Sequence, residues 1–410
     1  MGDKQDIGLK KGLGTIQILL YGVGTMLGAG IYVLVGKVAG YAGTLAPLSF
    51  VVAGVLAGLT AYSYSILSSK YPKSGGEIVY VAKGLGSDKL ATIVGWGVIL
   101  TGFISAAAIV KGFVGYLDVF VELPDALVIM VTMLALTALA IWGISESLNV
   151  IGLITLIEVA GLLFVILVSG VEFSEFTEKF DQLFVGSEGY NAFAVFQGAF
   201  LAFYAFVGFE DLANVAEEAK KPKKSMPIAI MGSLGIGLLL YVAIAVVAVL
   251  SLPLEQLSTT DAPMADIMLK RGPGYAYAIS VISLIAVLNG VLAQVIMGSR
   301  VLYGLAGYGG APKFLHRVHE KFRTPVVETL IISSVIVGLA VFIPIVQLAN
   351  ATSYIIILVF ALVNLSQARL AYKEYKLKKC WRKPKFTLPV LATLLCLVFL
   401  AYKTSTVFFQ

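Results

Sequence analysis

From Thr44 to Ser69 the chain carries no charged residue. A helix needs about 20 predominantly apolar residues to cross the roughly 30 Å hydrocarbon core of a bilayer. In hydrocarbon every backbone amide must be paired within the segment, so such a run is read as a membrane-spanning helix. Ten more runs of this kind follow or precede it, roughly at 15–38, 90–117, 126–144, 149–171, 190–212, 226–251, 275–305, 326–345, 347–368 and 387–405. Composition agrees: 59% of residues are hydrophobic and 13% charged, whereas a soluble domain has about a quarter charged. The expected class is an all-α integral membrane protein with eleven spans. The first run is too long for a signal-peptide core and leads straight into the second span, so no cleavable signal is read.

Orientation follows from Lys and Arg in alternate loops. One side holds 24 of them, from Lys4, Lys10 and Lys11 through Lys70–Lys89, Lys220–Lys224 and Arg300–Arg323 to Arg369–Lys385. The opposite side holds 4: Lys179, Lys270, Arg271 and Lys403. The bias puts the N-terminus in the cytoplasm and predicts a multi-pass protein of the plasma membrane. The net charge of +6 sits in short loops beside apolar runs. Topology and anionic headgroups account for it, and no nucleic-acid partner is expected. Cys380 lies in a basic loop and Cys396 in an apolar run, which argues against a disulfide framework.

Two connections are longer than the rest, Ser69–Lys89 and Leu252–Gly274, and each has room for a surface helix. They follow spans two and seven, which are equivalent places if spans one to five and six to ten are two halves. Five is odd, so the second half would be inverted in the membrane. The expected units are 1–172 and 173–373 for the repeats, and 374–410 for a basic loop with the eleventh span.

Span one contains Gly22-Val23-Gly24-Thr25-Met26-Leu27-Gly28-Ala29-Gly30-Ile31. Each glycine costs about 1 kcal/mol in a helix interior relative to Ala. Two readings fit: close packing of helices through small residues, or a backbone that leaves helical geometry and frees its polar groups for a ligand. Span six contains Phe203-Tyr204-Ala205-Phe206-Val207-Gly208-Phe209-Glu210-Asp211. It could be an ordinary aromatic-rich span with its acids in water. Yet glycine-bearing spans at matching places in two halves are the best sequence pointer to a midplane site.

These stretches carry a resemblance. Gly24–Ile31, the Tyr71-Pro72-Lys73-Ser74-Gly75-Gly76-Glu77 loop, and Gly208-Phe209-Glu210 followed by Glu217-Glu218 and Pro222 form its first part. Pro227-Ile228-Ala229-Ile230, Ser299-Arg300, Pro312 and Thr324-Pro325-Val326 complete it. In order and spacing the chain resembles the amino acid–polyamine–organocation (APC) transporter family. The resemblance implies a LeuT-like fold of two inverted five-helix repeats, with spans one and six broken at the substrate site. The family commonly has twelve spans; this sequence reads as the ten-span core plus one. Amides near Gly28, Ala29 and Gly30 would then face a substrate carboxylate. The carbonyls of Met26, Ala205, Phe206 and Val207 would receive its ammonium, with Thr25 and Gly208 beside them. Tyr204 would be an aromatic lid, and Glu210 a gating or proton-sensing acid.

Glu158 lies in span five. An acid at the bilayer centre costs about 2.5–3.5 kcal/mol on insertion scales, so something should compensate for it. Some proton-coupled relatives carry a lysine near this place; here the residue is acidic, and that mechanism does not transfer. Glu158 could trade a proton, or pair with a lysine or a cationic substrate group. Ser105 and Asn289 are possible pocket residues, although helix–helix hydrogen bonding explains them as well, and also explains Gln294. Lys111 is read as snorkelling to headgroups. His316 and His319 are read as solvated loop residues with no metal set around them. No GxxxxGK[ST] motif occurs, and no cofactor is expected. The reading is therefore a secondary transporter of an amino acid, driven by protons and working by alternating access. Its rivals are a cationic amino acid or polyamine carrier or exchanger, a passive channel, and, more remotely, a membrane-embedded enzyme.

Overall fold

The computed structural model describes residues 12–73, 75–142, 148–184, 192–307, 309–322, 324–378 and 383–408. Lys4, Lys10, Lys11, Ser74, Arg323, Lys379, Cys380 and Arg382, all used above, lie outside these residues. Among the described residues nine helices are long and apolar enough to cross a membrane, and two shorter apolar helices, Thr15–Met26 and Val326–Phe342, fall where spans one and nine were expected. Span one runs through Thr15–Met26, Ala29–Tyr32 and Leu34–Ala42, and span two is Ala46–Lys70. Spans three, four and five are Asp88–Leu117, Asp125–Trp142 and Leu148–Val168. Span six begins with Ala192–Ala202 and continues in tight turns to Ala213. Spans seven to eleven are Pro222–Ser251, Pro273–Gly307, Val326–Phe342, Ile345–Lys378 and Lys383–Phe408. Span two has 25 residues, long enough at about 1.5 Å each to exceed the hydrocarbon core.

Local signals set the helix ends. Pro47 and Pro222 stand in the first turns of spans two and seven, where a missing N–H costs nothing. The Ser87 hydroxyl accepts from the Leu90 amide and caps span three. Leu134, Leu167 and Leu239 are 73%, 79% and 73% exposed. Side chains so apolar and so open would promote aggregation in water; they suit a lipid-facing surface.

The two halves exchange partners as an inverted repeat requires. Span one packs on span seven, and its equivalent, span six, packs on span two. Span three packs on span ten, and span eight on span five. The connection after span two forms the helix Gly76–Leu85 against spans three and ten; its counterpart after span seven, Pro263–Leu269, lies against spans eight and five. The eleventh span sits outside this scheme, against spans ten and two.

One detail differs from the sequence reading. Span ten does not stop near 368 but continues as one helix through Lys378, so 373/374 falls inside a helix. The extension is held by polar contacts that a hydropathy reading misses: Lys70 pairs with Glu374, and the Arg369 guanidinium donates to the Leu85 carbonyl. His316 is an exposed loop residue, as read, and it is also anchored in place. Its ring stacks on Tyr303 at 4.3 Å and its Nδ1 lies 3.1 Å from the Tyr303 carbonyl.

Candidate functional site

Span one loses helical geometry at Leu27 (φ −79°, ψ 63°) and resumes at Ala29. Span six tightens over Phe203–Phe206 and leaves helical geometry at Val207 (ψ 130°) and Gly208 (φ 127°). The two breaks touch. The Thr25 hydroxyl donates to the Gly208 carbonyl at 2.9 Å. The Gly208 amide donates to Glu210 Oε2 at 2.8 Å. A Cβ on Gly30 would lie 2.4 Å from Ala205 Cα, so only glycine allows that approach.

The span-one glycines differ in what surrounds them. A Cβ on Gly22 would meet Leu212 at 2.6 Å, and one on Gly24 would meet the Thr155 hydroxyl at 2.1 Å; these are packing glycines. A Cβ on Gly28 would meet nothing within 4 Å, because Gly28 borders a cavity. Thr25, Met26, Gly28 and Gly30 of span one line that cavity with Tyr204 and Val207 of span six. Ser105 and Ile109 of span three, Ile151 of span five, and Asn289, Ala293 and Gln294 of span eight form the facing wall. Ala205, Phe206 and Gly208 stand behind the wall rather than on it. The Tyr204 hydroxyl bonds with the Ser105 hydroxyl and the Ser105 carbonyl, each at 3.1 Å, and so ties span six to span three.

The backbone polar groups at the breaks are partly engaged already. The Gly28 amide donates to the Met26 carbonyl at 2.9 Å, and the first resumed helical bond runs from the Tyr32 amide to the Gly28 carbonyl at 3.4 Å. Gly30 and Ile31, in the first turn of the resumed helix, have no helical acceptor for their amides. Tyr241 of span seven supplies what the sequence reading missed. Its hydroxyl lies 2.7 Å from the Met26 carbonyl and 2.8 Å from the Ala205 carbonyl, one from each break. The available signal was a single phenol in an otherwise aliphatic span, since a buried Tyr hydroxyl needs a partner.

Glu158 is fully buried but is not on the cavity wall. Its backbone carbonyl accepts from the Tyr32 hydroxyl at 2.8 Å. Its carboxyl is near enough to Tyr32 and Tyr241 to act on both electrostatically. It therefore stands behind the tyrosine that joins the two breaks.

A second cavity lies next to the first, toward the basic face of the protein, and shares Ser105, Val207 and Gln294 with it. Glu210, Asp211 and Asn214 line it. Below it the loop motif closes on span six: the Gly75 amide donates to Asn214 Oδ1 at 3.2 Å, and Lys73 pairs with Glu217 at 3.0 Å. Under that latch Glu77 is 2% exposed beside Tyr64. Burial, with a smaller push from Asp211, raises its carboxyl to about 7. The segment before span one adds a further closure, with the Lys220 amide donating to the Leu13 carbonyl at 3.0 Å. Lys111 does not snorkel freely; its ammonium donates to the Ala340 carbonyl at 2.8 Å. Among the described residues no group of His, Cys, Asp and Glu is arranged to hold a metal ion.

Comparison with known proteins places this geometry in context. A family model described as "Amino acid permease" matches residues 13–409. The branched-chain amino acid permease BcaP of Bacillus subtilis (strain 168) is 29% identical over 418 residues, covering 95% of this chain and 87% of that protein. The vacuolar cationic amino acid transporter 4 of Arabidopsis thaliana is 29% identical over 388 residues, covering 89% of this chain and 64% of that protein. The crystal structure of MhsT in complex with L-phenylalanine superimposes with a TM-score of 0.69 at 12% identity, over 96% of this chain and 100% of that one. At that identity the likeness speaks for a shared LeuT-like fold.

Proposed function

The chain belongs to the amino acid permease family, a family of transporters and not enzymes, and from that premise we propose that it moves an amino acid by alternating access, coupled to protons. The observation that carries the reading is the pair of touching breaks with a cavity against them. In this reading the free amides after Gly28 receive the substrate carboxylate, and the carbonyls of Met26 and Val207, which border the cavity, receive the ammonium, with those of Ala205 and Phe206 behind them. Tyr204 covers the site from span six. The latch of Gly75, Lys73 and Glu217 is the cytoplasmic gate, with Glu210 beside it, and it opens in the other half of the cycle. The proposed organisation is two inverted five-span repeats, 1–172 and 173–373, followed by 374–410 with the eleventh span. The protein lies in the plasma membrane with its N-terminus inside, as the asymmetry of basic loops argues.

Purified protein in proteoliposomes should give saturable uptake and counterflow of an amino acid. Uptake that rises linearly without counterflow would mean a channel. Single cysteines replacing Lys223 and Lys378 should react with an impermeant reagent only after permeabilisation; labelling in intact cells would reverse the orientation. Tyr241→Phe keeps the ring packed on Phe206 at 5.1 Å and removes only the hydroxyl between the breaks. It should weaken substrate binding about tenfold, the usual size of one lost hydrogen bond. Unchanged affinity would mean the breaks hold their relation without it. A cationic amino acid carrier is the second reading, favoured by the carboxyls of Glu210 and Asp211 on the neighbouring cavity.

A further inference from the structure

The cavity at the breaks has two unlike walls. On one side it is backbone: Gly28, Gly30 and Val207 offer main-chain groups that every α-amino acid can use. On the other it is side chain: Ser105, Ile109, Ile151, Asn289, Ala293 and Gln294. A substrate whose carboxylate and ammonium dock on the first wall points its side chain at the second. This step rests on the transport reading above.

Asn289 and Gln294 are the two carboxamides of that wall, and Asn289 is the more deeply buried. It is 9% exposed, it faces the cavity, and its Oδ1 has no hydrogen-bond partner among the described residues. Its polar neighbours do not serve it, because the Ser105 and Tyr204 hydroxyls are engaged with each other. A buried carbonyl oxygen without a donor is costly, and its presence calls for one. No charged side chain lines the cavity. Glu210 belongs to the adjacent cavity and already accepts from the Gly208 amide, while Glu158 stands behind the Tyr32 and Tyr241 rings.

We propose that the substrate side chain is uncharged and ends in a hydroxyl or a carboxamide, which Asn289 receives. A charged side chain would be buried there without a counter-ion. A purely aliphatic one would fit against Ile109, Ile151 and Ala293 but would leave the buried Oδ1 without a donor. Sites built to hydrogen-bond a ligand group reject the isostere that lacks it far more strongly than apolar pockets reject an added group. Hydroxyls and carboxamides both donate and accept, so either face of the Asn289 amide finds a match.

Threonine and valine have nearly the same shape and differ by the hydroxyl, which makes them the decisive pair. Binding of Thr, Ser, Asn, Gln, Val, Leu, Lys and Arg is measured by thermal shift and by competition for uptake in proteoliposomes. At least one hydroxyl or carboxamide amino acid should bind, Thr more tightly than Val by at least about tenfold or Gln more tightly than Leu by a similar factor. Asn289→Leu should bring the favoured pair to within about threefold, mainly by improving the aliphatic member. Val or Leu binding wild type as well as Thr and Gln overturns the inference, as does a preference for Lys or Arg; the wild-type comparison decides even if the variant fails to fold. A discrimination that survives in Asn289→Leu moves the selecting group elsewhere and overturns it too. Binding of no amino acid at all would instead sink the transport reading on which the inference rests.

Discussion

Gly208→Val is expected to lower substrate binding at least about a hundredfold while the protein still inserts. Gly208 sits at φ 127°, a region that costs a residue with a Cβ about 1–3 kcal/mol, and β-branching adds to that. Space is the second obstacle: a Cβ there would lie 2.5 Å from the Thr25 carbonyl oxygen, 2.7 Å from its carbon and 3.1 Å from the Met26 amide nitrogen. All three atoms are backbone, so the two breaks must part. The Thr25–Gly208 hydrogen bond goes with them. Gly28→Val should abolish binding to a similar extent by another route, since its side chain enters open cavity and meets no wall. The pair is separable by melting temperature. Gly208→Val should lower it, and Gly28→Val should leave it near wild type but remove the shift that substrate produces. Near-normal affinity in either variant would mean that the site lies elsewhere.

Glu158→Gln is expected to keep binding and exchange and to lose accumulation driven by a pH gradient, so that the internal substrate concentration only equals the external one. The glutamine matches a protonated carboxyl in shape but cannot release a proton. On the proposed reading Glu158 links protonation to the site through Tyr241, whose hydroxyl touches both breaks. A change of charge there is felt by the residue that holds spans one and six together, and linkage makes the effect reciprocal. Sodium should not replace protons in the wild type. Should the variant concentrate substrate as well as wild type under an imposed pH gradient, Glu158 is structural, and the coupling carboxyl is to be sought at Glu210.

The spans were legible because a membrane imposes a length and a polarity that one sequence cannot hide; Thr44–Ser69 needs no partner to be recognised. The breaks were legible in outline, since glycines recur in spans one and six. Which glycine does what was not. Gly24 and Gly28 look alike in a string, and they differ only in having Thr155 or open space across from them. Tyr241 escaped notice because its role comes from convergence with Met26 and Ala205, which are distant in the chain. The helical extension of span ten was hidden by the charges that made it look like a loop: Arg369 and Glu374 are polar because they grip the neighbouring helix and the end of span two.

The phenol of Tyr241 brings a last consequence. The Met26 and Ala205 carbonyls hold four lone pairs between them, and the described structure sends them two hydrogens, one from the Gly28 amide and one from Tyr241. Half of the acceptor capacity at the meeting of the breaks is thus left over. A protonated amine carries three hydrogens and a full positive charge, which carbonyl dipoles attract. An acylated nitrogen carries one hydrogen and no charge. On the proposed reading, the meeting point of the two broken helices acts as a detector of free amines, and capping the nitrogen of an otherwise perfect substrate makes it invisible to the protein.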